Sequence, residues 1–103
     1  MVIWTNSASE DLKIIQKTSK AIHIKSYIKQ LITFAEILNT MPFVGVKLNS
    51  RYEFFSKYKH TFYQLIYKNH RIIYFVQNNN IYILFVIHFR QDLFFKFLKY
   101  FNY

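Results

Sequence analysis

Apolar residues recur along this chain with two different periods, and the change between them falls near residue 45. The opening residues Met1 to Trp4 are short and apolar, which predicts a strand. In the stretch NSASEDLKIIQK that follows, Ser7 and Glu10 stand at capping-box spacing, so a helix is expected from about Ala8. After a break at Thr18 to Lys20, Ile24, Ile28, Leu31, Ala35 and Leu38 recur three and four apart and line one face of a second helix. Two consecutive helices make a hairpin. Lys13, Lys17, Lys20, Lys25 and Lys29 fall mostly off the apolar stripe and read as its solvated outer face.

Asn39, Pro42 and Gly45 end the second helix, and the pattern then turns to period two. The runs TFYQLIY, RIIYFVQ and IYILFVIHF are rich in β-branched and aromatic residues and are separated by the polar breaks KNH and NNN. They predict a three-stranded antiparallel meander, with Tyr52 to Phe55 as a further short strand. The expected fold is α+β: a short N-terminal strand, then a two-helix hairpin packed on an antiparallel sheet of three to four strands. In the tail DLFFKFLKYFNY, Leu93, Phe94, Phe97, Leu98 and Phe101 keep helical spacing with Lys96 and Lys99 opposite. That predicts a C-terminal amphipathic helix capped by Asp92. Its stripe can pack back on the sheet or face a partner helix or a membrane surface.

Composition narrows the classes. At 103 residues, with 52% hydrophobic positions and Gly and Pro once each, the chain reads as one packed domain over residues 1–103. It has no cysteine, which removes disulfides, thiolate nucleophiles and Cys-based zinc sites and fits a reducing compartment. The longest unbroken apolar run, Ile81 to Ile87, is far short of the roughly 20 residues that cross a bilayer. Residues 1–20 lack the basic and apolar pattern of a secretory signal, so a cytoplasmic protein without membrane attachment is expected. No His, Asp or Glu spacing suggests a metal site, and no Gly-rich phosphate loop, GxSxG elbow or paired-carboxylate pattern is present, so no cofactor is expected.

The charge changes the picture most. Fourteen Lys and Arg against five Asp and Glu give +9, an excess that favours a polyanion or an acidic protein partner over a neutral one. From Lys57 to Arg90 there is no acidic residue, while Lys57, Lys59, Lys68, Arg71 and Arg90 fall there with His60, His70 and His88. The bland alternative is that the charge merely keeps an apolar domain soluble.

Several of these residues together resemble the RelE/ParE superfamily of toxins from bacterial type II toxin–antitoxin systems. They are Trp4 in the first strand, Ala8 and Asp11-Leu12 in the first helix, Pro42 and Gly45 before the sheet, the strand His70-Arg71-Ile72-Ile73-Tyr74-Phe75-Val76, and His88-Phe89-Arg90 at the end of the last strand. The resemblance spans residue 3 to about residue 93 and agrees with the β-α-α-β-β-β order read from periodicity.

The resemblance implies a toxin sequestered by a small acidic cognate antitoxin. It implies one of two actions: inhibition of DNA gyrase, or mRNA cleavage on the translating ribosome. RelE-type nucleases carry basic residues on the first meander strand, where this chain reads Tyr63-Gln64-Leu65, and Phe75 stands where many relatives have Arg. Arg71, His88 and Arg90 remain as candidate catalytic residues, His88 as base or acid and the two guanidiniums on phosphate oxygens. Lys57, Lys59, Phe94, Phe97, Leu98 and Phe101 are candidates for antitoxin or target binding. The thinned basic set and the apolar tail favour the gyrase reading; the nuclease is second, and an inactive basic interaction module third.

Overall fold

The computed structural model describes residues 1–48 and 59–101, apart from the Phe101 side chain. Lys57 and the short strand expected at Tyr52 to Phe55 lie outside the described residues. The elements run β1 (Val2–Trp4), α1 (Asn6–Thr18), α2 (Ile24–Ala35) with a 3-10 turn at Glu36–Asn39, β2 (Val46–Lys47), β3 (Phe62–Tyr67), β4 (His70–Gln77), β5 (Asn80–His88) and α3 (Leu93–Phe101).

The three long strands form the expected antiparallel meander, and the sheet is widened at both edges. Its order is β1-β5-β4-β3-β2, with β1 parallel to β5 and the two-residue β2 antiparallel to β3. Pairing with β1 covers the backbone edge of β5: Ile81 N donates to the Met1 carbonyl at 2.9 Å and Thr5 N to the Ile83 carbonyl at 3.1 Å. Two-residue turns join the long strands. Asn78 and Asn79, at φ 52° and 65°, take the left-handed region that a type I′ turn needs and that Asn tolerates. Lys68, at φ 50°, occupies the same region in the β3–β4 turn without that tolerance.

α1 starts two residues before the expected Ala8, and its cap is Thr5 rather than the Ser7–Glu10 box. The Thr5 hydroxyl accepts from Ala8 N at 3.3 Å and donates to the Ile83 carbonyl at 2.7 Å, so the cap is also the joint between α1 and the sheet. The predicted stripe of α2 is the buried one: Ile28, Leu31, Ala35 and Leu38 are inside, and the five hairpin lysines are exposed. Ala8, Leu31, Ala35 and Leu38 cover one sheet face, against Ile72, Tyr74, Ile81, Ile83 and Val86.

α3 covers the other face. Leu93 and Phe97 are buried with Phe62, Ile73, Leu84, Phe85 and Ile87, and the Phe97 ring meets Phe62 and Phe85 edge-on at 5.0 and 5.1 Å. Burying Leu93 and Phe97 contributes about 1.5–3 kcal/mol each, which is why the tail packs back on the sheet. Asp92 caps this helix as expected, accepting from Phe94 N at 2.9 Å and Phe95 N at 3.2 Å. Lys96 departs from its expected place opposite the apolar stripe. Its ammonium is 2.8 Å from the carboxylate of Asp11 on α1 and sits over the Phe85 ring, so it faces inward.

Two buried features fix the register. Gly45 N donates to the hydroxyl of fully buried Tyr74 at 3.0 Å, and a side chain at Gly45 would meet that oxygen and the Gln64 carbonyl at 2.7 Å. In β5, Leu84 is an extra residue: Phe85 pairs with Ile73 while Ile83 pairs with Tyr74. Just past this bulge, the amide of Val86 donates to Asp11 Oδ2 at 3.0 Å. The buried carboxylate thus serves a backbone amide of the bulged strand and, through its other oxygen, Lys96.

Candidate functional site

The bulge decides which side chains share a face. Before it, Ile81 and Ile83 point to the α1–α2 side; after it, Val86 points there and Phe85 and Ile87 point to α3. One inserted residue therefore turns His88 toward the helical hairpin. Arg71 pairs with Ile87 and alternates with His70 and Ile72, which places it on the α3 side of the sheet. Arg71 and His88 consequently leave the sheet on opposite faces, and the catalytic trio expected from sequence is not gathered on one face. Without the bulge His88 would have shared the face of Arg71.

Each member of that trio has a local partner. The Arg71 guanidinium donates to the Phe89 carbonyl at 2.7 Å. His88 Nδ1 accepts from Arg90 N at 3.1 Å, its backbone N donates to Gln91 Oε1 at 2.7 Å, and its carbonyl accepts from Gln91 N at 2.9 Å. These bonds tie off the turn between β5 and α3. The Arg90 guanidinium is exposed, 5.7 Å from the Phe89 ring centroid, and Phe89 in turn stacks on His88 at 4.8 Å.

What the strand ends do bring together is a histidine pair. His70 lies directly across from His88 in the β4–β5 register, and the rings meet edge-to-face at 5.5 Å. His70 is buried, with Nδ1 2.6 Å from the hydroxyl of Tyr27 on α2. Burial pushes the His70 imidazole below its ordinary 6.5, and the charge of His88 opposite pushes the same way. Tyr27 is raised by its own burial, with the Asn69 amide bonded to it opposing and Tyr67 adding to the rise.

Beside this pair opens a groove of about 460 Å³. Its walls are the turn between α1 and α2, including Ile22, His23 and Ile24, and its far side is Tyr27, His70 and His88. By polarity alone His70 falls in the break KNH, the family resemblance starts a strand at His70, and nothing in the sequence marks Tyr27. The two-residue turn at Lys68-Asn69 would have put His70 inside the strand, but only the bulge sets it opposite His88.

The second group of candidates also divides. Lys59 is exposed. On α3, Phe94 and Leu98 are on the outer side together with Phe95, which is 61% exposed. Phe97 is corrected: it is fully buried against the sheet and is not part of any surface. The Phe101 side chain and Lys57 are outside the described residues. Among those residues no group of three or more His, Cys, Asp or Glu is placed to hold a metal ion, and no helix is long and apolar enough to cross a membrane.

A family model described as the ParE toxin of the type II toxin–antitoxin system, parDE, matches residues 2–93. No curated protein matches the sequence.

Proposed function

The chain belongs to the ParE toxin family of type II toxin–antitoxin systems, and from that premise we propose that it arrests growth by binding and inhibiting DNA gyrase in the cytoplasm. The observation that carries this reading is the outer side of α3. With Phe97 and Leu93 docked inward, the helix still exposes Phe94, Phe95 and Leu98, next to Lys99. An apolar strip held rigidly on a docked helix and edged by cations suits a protein target. Inhibition by binding needs only such a surface. Cleavage of mRNA needs an acid, a base and cations around one phosphate, and the sheet lies between Arg71 and His88. A cognate antitoxin goes with the family, and a small acidic one fits the +9 charge.

The test is a supercoiling assay with purified gyrase. The wild-type protein is expected to block supercoiling, and Phe95→Ser with Leu98→Ser to weaken the block by about tenfold, as loss of exposed hot-spot residues does. His88→Ala is expected to leave it within about twofold, since it sits off that surface. Untouched gyrase together with messages cut in a translating extract, and cutting lost in His88→Ala, would establish the nuclease instead.

A further inference from the structure

The groove beside the histidine pair is not used by the α3 surface, and its chemistry is specific. Its hairpin wall carries Ala21, Ile22 and Ile24 with Ser19 and His23 between and beside them, and Ile22 at its lip is 92% exposed. Among the described residues no acidic side chain lines it, whereas Lys20, Lys25 and Lys68 are exposed on the segments that build it.

A hydrogen bond fixes what the His88 imidazole presents. His88 Nδ1 accepts the Arg90 amide, so the proton of the neutral ring is on Nε2. The Tyr27 hydroxyl is 2.6 Å from His70 Nδ1, where the His70 tautomer sets which of the two donates, and it also reaches the Tyr67 carbonyl at 3.4 Å. His88 thus offers an Nε2–H donor, and His70 adds a second in its Nε2 tautomer.

We propose that this groove receives an acidic side chain flanked by aliphatic residues, supplied by the protein partner that neutralises the toxin. The carboxylate meets the His88 Nε2–H beside the His70 ring, and the aliphatic neighbours lie on Ile22 and Ile24. Charge complementarity favours a peptide over a neutral ligand, and the apolar wall favours it over a bare inorganic anion. The proposal deepens the antitoxin half of the function above and rests on it, while the gyrase half is independent.

The probe is the capped peptide acetyl-Leu-Glu-Leu-amide, titrated into the full chain and followed by NMR, with the Gln version and inorganic phosphate as controls. Saturable shifts of the His70 and His88 imidazoles and of the Ile22 and Ile24 methyls are expected, with the Gln peptide about tenfold weaker because a charge-assisted bond is lost. Ile22→Ser and His88→Gln, both at accessible positions, are each expected to weaken the Glu peptide several-fold. Equal binding of the two peptides, shifts confined to other surfaces, or no saturable shift would overturn the proposal. Phosphate moving the imidazoles as strongly as the peptide would assign the groove to a phosphate instead. None of these outcomes touches the supercoiling assay, so the two readings fail separately.

Discussion

Removing the Asp11 carboxylate should cost more than its place on a short helix suggests. In Asp11→Ala the buried Val86 amide loses its acceptor and Lys96 its counter-ion. A buried backbone N–H left unpaired costs about 1–3 kcal/mol. The Lys96 side chain is 29% exposed, so the ion pair adds only about 1 kcal/mol or less. The expected loss is therefore about 1–4 kcal/mol, most of it from the amide. Asp11→Asn keeps an acceptor for Val86 and should lose about 1 kcal/mol, and Lys96→Met, which keeps the stem over Phe85, a similar amount. Urea unfolding measures all three; with a slope of about 1–3 kcal/mol per molar, the midpoint of Asp11→Ala should fall by about 1–2 M. Amide exchange gives a second reading, with Val86 losing protection in Asp11→Ala and keeping it in Lys96→Met. If Asp11→Asn proves as damaging as Asp11→Ala, the ion pair dominates and the argument from the amide is wrong.

The remaining predictions concern His70, Phe97, Gly45 and Lys68. The folded pKa of His70 is depressed, so between that value and 6.5 the unfolded chain binds the proton and the folded one does not. Stability should thus fall as pH drops below 6.5 and level off below the folded pKa, and His70→Phe should flatten this slope in thermal melts across the range. Phe97→Ala should cost about 3–5 kcal/mol by emptying a packed site, whereas Leu98→Ala, at a 44%-exposed position, should cost about 0.5 kcal/mol. Gly45→Ala should cost about 1–3 kcal/mol, because its methyl meets the Gln64 carbonyl and the Tyr74 hydroxyl. Lys68→Gly should raise stability by about 0.5–1 kcal/mol by relieving a left-handed residue; an unchanged midpoint would mean that the turn is unstrained.

The elements legible in the sequence were those written in short-range patterns. The stripe from Ile24 to Leu38, the three β runs and the Asp92 cap each depend on residues a few positions apart, and each formed as read. The Thr5 cap was not legible because half of its hydrogen bonding is with Ile83, which is remote in sequence. The inward turn of Lys96 depends likewise on Asp11, at the other end of the chain. The deepest loss was at the bulge. A strand buried on both faces shows no alternation, so Ile81 to Ile87 gives no sign that Leu84 shifts the register. Everything after it, including the face of His88, was therefore set by packing rather than by a readable motif.

The stitching of α1 to the far end of the chain bears on when this protein becomes dangerous to the cell that makes it. Asp11 must wait for Val86, 75 residues later, and for Lys96, 85 residues later. β1 cannot pair until β5 exists, and the outer strip of α3 is held in place only after Phe97 has found the finished sheet. Contacts of such long range form late and slowly. During translation the early segments, α1 and α2 among them, therefore emerge before the outer strip of α3, the surface proposed to meet the target, has been assembled. The groove proposed for the antitoxin is equally late, because it needs β4 paired with β5 to set His70 beside His88, so on these readings the neutralising site and the target site mature together, once the two ends of the chain have met.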